Sequence, residues 1–101
     1  MARFDLYRVD GWRIPLMVDV QAEHLEQLAT RTVIPLRPVE RNAGMRIPRL
    51  QPLLQLPTGG HVLETQDLGS LPRSAIGRPV GNIAEHRDHI TAAIDFLFQG
   101  F

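Results

Sequence analysis

The chain has 101 residues, 44% of them hydrophobic, and eleven basic side chains balance eleven acidic ones, which gives room for one domain, taken as residues 1–101, around one core. Every basic residue is arginine and cysteine is absent, which excludes disulfides, thiolate metal sites, thiol nucleophiles and lysine Schiff bases. Zero net charge argues against bulk nucleic-acid binding, and no apolar run nears the about 18 residues of a membrane span, so a protein of the cytoplasm without leader or membrane segment is expected.

The first 80 residues read as strands and turns. Phe4–Val9 is a short strand, Asp10-Gly11 a two-residue hairpin turn, and Trp12–Val20 a second strand. In that second strand Trp12, Ile14, Leu16, Val18 and Val20 alternate with Arg13, Pro15, Met17 and Asp19, the period of a half-buried strand. Ala22–Thr30 reads as one helical turn or as a loop anchored by Leu25 and Leu28. Thr32–Leu36 is a third strand, and Arg37–Arg49, with Pro38, Asn42, Gly44 and Pro48 among Arg37, Arg41, Arg46 and Arg49, an exposed basic loop. Leu50–Leu56 and His61–Gln66 flank the turn Pro57-Thr58-Gly59-Gly60, a second hairpin; Leu68–Val80 holds only short strands or turns.

The period then changes. Ile83, Arg87, Ile90, Ile94 and Leu97 recur every three or four residues, so a helix is predicted over about 83–99. Asn82 and Glu85 have the spacing of a capping box, and Gly100 stands where a helix stops. The predicted fold is mainly β with one C-terminal helix. Trp12, Ile14, Leu16, Val18, Val33, Ile34, Leu54, Ile90 and Ile94 are its expected core.

No motif announces a catalytic site. Glu85, His86 and His89 share a helical surface but lack a zinc-ligand spacing, and there is no Gly-x-Ser-x-Gly elbow. Gly59-Gly60 lacks the following helix of a phosphate loop. The arginines of 37–49 suit phosphate, an acidic protein partner or plain solvent. Three of the four phenylalanines fall in the last six residues, at positions 96, 98 and 101. Either Gly100 caps the helix and Phe101 folds back onto Phe96, or the end is an exposed apolar tip for another protein.

These residues carry a resemblance. Val18-Asp19-Val20-Gln21 and Val33-Ile34-Pro35-Leu36 resemble strand motifs of the CcdB family of bacterial toxins. The similarity continues through Leu50-x-Pro52, Thr65-x-Asp67, Ser70-x-Pro72-x-Ser74-x-Ile76-Gly77, His86-Arg87, Ala93-Ile94, Phe98 and Gly100. The resemblance implies an SH3-like antiparallel barrel with a C-terminal helix, homodimeric, acting without cofactor or metal. It implies a toxin that binds the DNA gyrase A subunit and traps the gyrase–DNA cleavage complex, touching DNA only through gyrase or the antitoxin, and is not itself an enzyme. A cognate CcdA-like antitoxin would neutralise it, for which Arg37, Arg41, Arg46 and Arg49 are the expected contacts. The implied gyrase surface is His24, Leu25, Asp95, Phe98, Gln99, Gly100 and Phe101. Here the sequence departs from the family pattern: Gln99 replaces a tryptophan of the kind that anchors interfaces, and His24 replaces an aliphatic residue. Two alternatives therefore accompany this reading. One is a decayed or retargeted homologue that binds antitoxin but not gyrase. The other is an mRNA-cleaving toxin of the same fold, with His61 and Arg73 or Arg87 as candidate groups.

Overall fold

Short apolar segments, cut by proline and glycine, build seven antiparallel strands and one terminal helix in the computed structural model, which describes residues 2–25, 27–39 and 46–101. The strands are β1 (Asp5–Arg8), β2 (Leu16–Asp19), β3 (Thr30–Pro38), β4 (Leu53–Leu56), β5 (Gly59–Leu63), β6 (Gly69–Pro72) and β7 (Gly81–Asn82); helix α1 spans Arg87–Gln99. The path is β4-β5-β3-β2-β1-β7, with β6 also on β3. β3 organises this sheet. One edge takes β2, in the register Met17↔Pro35 and Asp19↔Val33. The other takes β6 along its first half (Arg31↔Leu71) and β5 along its second (Leu36↔Leu63). Two partners in succession on one edge bend the sheet into a half-barrel, as the mainly β reading with one C-terminal helix expected.

The bend creates two apolar layers. Leu6, Leu16, Val18, Ile34, Leu36, Leu54 and Leu63 pack with Ile83, Ile90 and Ala93 in the larger one, with Ile94 half-buried beside it. Tyr7, Val9, Met17, Val33, Leu71 and Ile76 form the smaller, on the other side of the strands. Both faces of β2 are therefore buried, and the half-buried strand read from its alternation is corrected to a fully buried one.

Trp12 and Ile14 are the misplaced core residues. Val9 N–H donates to Pro15 O at 2.8 Å, so pairing closes a loop over 10–14 instead of a two-residue turn at Asp10-Gly11. Pro15 has no N–H for the ladder and ends the strand pattern there. Trp12 is 54% exposed on this loop and Ile14 half-buried. Leu25 and Leu28 are exposed, so they do not anchor their loop; a single 3₁₀ turn forms at Glu23–Leu25. The second hairpin turns at Pro57-Thr58, with Leu56 opposite Gly59.

The helix begins later than its periodicity suggests. A 3₁₀ turn at Ala84–His86 precedes α1, and Asn82 accepts from Ala84 N–H at 2.9 Å instead of forming the expected box with Glu85. Gly100 takes the left-handed conformation (φ 79°) and its N–H donates to Phe96 O at 2.9 Å, a geometry that glycine adopts at little cost. Phe101 does not fold back onto Phe96: it is 74% exposed. No helix among the described residues is long and apolar enough to cross a membrane.

Candidate functional site

A buried polar chain places the Glu23–Leu25 turn beside the helix. Arg31 Nε lies 2.7 Å from Asp19 Oδ2, with both side chains fully buried. Asp19 Oδ1 accepts from Gln21 N–H at 2.9 Å. The Gln21 side chain then divides its bonds: Nε2 donates to Leu25 O at 2.8 Å, and Oε1 accepts from Thr32 N–H at 3.0 Å. The turn is thereby tied to the start of β3. Burial pushes the Asp19 carboxyl above its ordinary value, against the Gln21 N–H and the Arg31 guanidinium, which pull it down.

His24 lies on that turn, and with Asp95, Asp88, Arg87 and Phe4 it lines a hollow of about 690 Å³ against α1. Phe4, in its wall, has φ 71°, a left-handed conformation costing about 1–2 kcal/mol for a residue with a Cβ. Across the exposed helix face, Asp95 also lines a second hollow with His89, Arg49, Pro52 and Phe101. Arg49 stands 4.8 Å from the centre of the Phe96 ring, a cation–π contact that holds its segment to the helix end. Phe98 is 69% exposed, and Gln99 and Gly100 are exposed beside it. The structure thus brings His24 to Asp95, and Asp95 to Phe101. Leu25 is exposed on the same turn as His24.

The expected basic loop is not a free cationic arm. Arg41, with Asn42 and Gly44, lies outside the described residues. Arg37 belongs to β3 and pairs with Glu64, Nε to Oε1 at 3.3 Å. Arg46 Nη1 donates to Gln51 O at 2.8 Å. Glu64 Oε2 also accepts from Gln66 Nε2 at 2.8 Å and from Gln51 Nε2 at 3.4 Å. An acid, an arginine and two amides therefore meet at one place. The sequence reading did not single out Glu64, because only the pairing of β5 with β3 carries it to Arg37. His61 is buried, as Glu64 is, with Nδ1 2.9 Å from Gly59 O. Among the described residues no three His, Asp or Glu side chains are grouped to hold a metal ion.

This bent sheet with one terminal helix is the fold of small bacterial toxins. An endoribonuclease in complex with its cognate antitoxin, from a mycobacterial species, is similar with a TM-score of 0.78 at 16% identity, over 97% of this chain and 94% of that one. An endoribonuclease from a mycobacterial species is similar with a TM-score of 0.72 at 18% identity, over 97% and 90%. Mycobacterium tuberculosis toxin MazF-mt6 is similar with a TM-score of 0.69 at 17% identity, over 96% of each chain. The family model described as CcdB protein matches residues 3–100, and the chain belongs to that family. Membership makes it a toxin of a toxin–antitoxin system. The expectation that it is not an enzyme is corrected by these likenesses, since solved structures that share its fold include endoribonucleases.

Proposed function

We propose that this toxin acts in the cytoplasm on DNA gyrase, binding the A subunit through the end of α1 and the Glu23–Leu25 turn and holding the enzyme on cut DNA. The observation that carries this is the pair Phe98 and Phe101, 69% and 74% exposed at the helix end. Exposed aromatic side chains are what a partner buries to gain affinity. His24, Leu25, Asp95, Gln99 and Gly100 are the further contacts of this reading. Two copies of the chain associate to present two such tips, and the antitoxin covers Arg37, Arg46 and Arg49, with Arg41. Gln99 cannot stack as a tryptophan would, so Phe101 supplies the aromatic contact.

The test is a DNA cleavage assay with purified toxin, gyrase of a candidate host, ATP and supercoiled plasmid. Linear DNA released by denaturing the enzyme is the expected result. Linear DNA only with Gln99→Trp assigns the chain to decayed or retargeted homologues. If neither protein yields linear DNA, the gyrase reading is wrong.

A second reading is supported by the Arg37–Glu64 cluster. A carboxylate held by an arginine and two amides at the end of β5 is suited to proton transfer and to stabilising phosphate charge. On this reading the toxin cleaves RNA as the endoribonucleases of similar fold do, with Glu64 and Arg37 in place of His61, Arg73 or Arg87. Incubation with a defined transcript tests it: cleavage that vanishes in Glu64→Gln supports it, and an intact transcript removes it.

A further inference from the structure

Trp12 is the only tryptophan of the chain and stands 54% exposed, although a large aromatic side chain gains by burial. It does not stand alone. With Arg13, Ile14, Met17, Pro35 and Asp67 it lines a hollow of about 320 Å³. The walls are apolar and include planar or flat surfaces, the indole and the Pro35 ring, together with the Met17 thioether. The lining carries one cationic donor, Arg13, and one anionic acceptor, Asp67. Gly69 and Ser70 continue it in an adjoining hollow that shares Trp12 and Asp67.

We propose that this hollow seats one guanine base of single-stranded RNA, stacked on Trp12. A planar aromatic ligand matches the walls, and the two charged groups match an edge carrying both acceptors and donors. Guanine has that edge: O6 accepts from an arginine, while N1–H and N2–H beside it on the Watson–Crick edge donate to a carboxylate. Adenine and cytosine offer a single amino group beside acceptors, and uracil one N–H. The position along the sheet favours a polymer over a free base. Pro35 and Arg37 fall on the same side of β3, since alternate residues of a strand share a face, about 7 Å apart at strand rise. Arg37 is therefore placed to meet the phosphates of a chain whose base lies on Trp12. Because the protein carries no net charge, affinity comes from stacking and base-edge bonds, and its salt dependence is shallow.

The inference deepens the RNA-cleavage reading and rests on it for the choice of RNA, so binding is measured with 2′-O-methyl oligonucleotides that cannot be cleaved by 2′-hydroxyl attack. Loss of cleavage and loss of this site are then separate results. The full chain is titrated with short oligomers of G-, A-, C- and U-containing sequence, reading the intrinsic fluorescence of Trp12. Saturable quenching by the G-containing oligomer ahead of the other three is expected. With a labelled oligomer followed by anisotropy, Trp12→Ala weakens binding about 5- to 150-fold, the range for loss of one base–aromatic stack. Asp67→Asn retains binding but loses the preference for guanine. Both residues are exposed, so each variant folds as the parent does, which circular dichroism checks. Unchanged affinity in Trp12→Ala overturns the proposal, as does quenching by the antitoxin with none by any RNA. Equal response to all four bases overturns the assignment to guanine.

Discussion

Arg31 and Asp19 are the residues on which the interior is most exposed to error. Neither side chain reaches solvent, and Arg31 Nη1 has no hydrogen-bond partner among the described residues. Removing one member leaves the other as an uncompensated buried charge, which costs about 3–5 kcal/mol. Urea unfolding of Asp19→Leu and of Arg31→Met is expected to show losses of that size. The double variant should recover most of it, short of the about 1 kcal/mol lost with the Gln21 N–H bond. Tyr7, the only tyrosine and also buried, gives a pH readout of the same region. Burial first, then the charges of Asp5 and Asp19, push its hydroxyl up from 10.0 to about 12. A folded value above the unfolded one contributes stability that is fully present below pH 10.0 and is lost as the pH rises through about 12. Tyrosinate absorbance should therefore appear late in an alkaline titration and together with unfolding. Tyr7→Phe should remove that window's loss of stability; a tyrosine that titrates near 10 in the intact fold contradicts the placement.

The elements differ in how far the sequence disclosed them. The stripe Ile90, Ala93, Ile94 and Leu97 reads as a helix because its packing is one-sided, and Gly100 marks its end by a conformation few residues share. The strand around Leu16 was legible in its apolar positions but not in its length: alternation continues back to Trp12, and only Pro15 warns that hydrogen bonding ends there. Glu64, Gln21 and the buried state of Arg31 were not legible, since each depends on which strand lies beside β3. Gln21 shows what such a residue does for an element. Its side chain joins Leu25 O to Thr32 N–H, so the Glu23–Leu25 turn is held by one amide. Gln21→Ala leaves those groups without their partner, at about 1–3 kcal/mol if they stay buried. Thermal unfolding should fall accordingly, and amide exchange should quicken in the turn before it does in β2. Exchange that quickens uniformly would instead mean that Gln21 supports the whole sheet.

At the scale of the molecule, the fold keeps its stability and its candidate partner surface on different side chains. Ile90 and Ala93 bury the inner face of α1, while Phe98 and Phe101 at its end add little to the interior. That division permits a sharp test. Phe98→Ala and Phe101→Ala, singly and together, should leave the unfolding midpoint nearly where it was, since exposed substitutions usually lie within about 0.5 kcal/mol. Leu54→Ala, in the larger apolar layer, should cost about 2–5 kcal/mol. Affinity for gyrase should follow the opposite order: the double tip variant loses about 2 kcal/mol or more, near thirtyfold, whereas Leu54→Ala keeps its affinity at temperatures where it is still folded. Measured by titration calorimetry against the isolated A subunit, a tip variant that binds as tightly as the parent would remove the helix end from the interface. Binding lost only in proportion to unfolding would show that the surface is a by-product of packing and not a site.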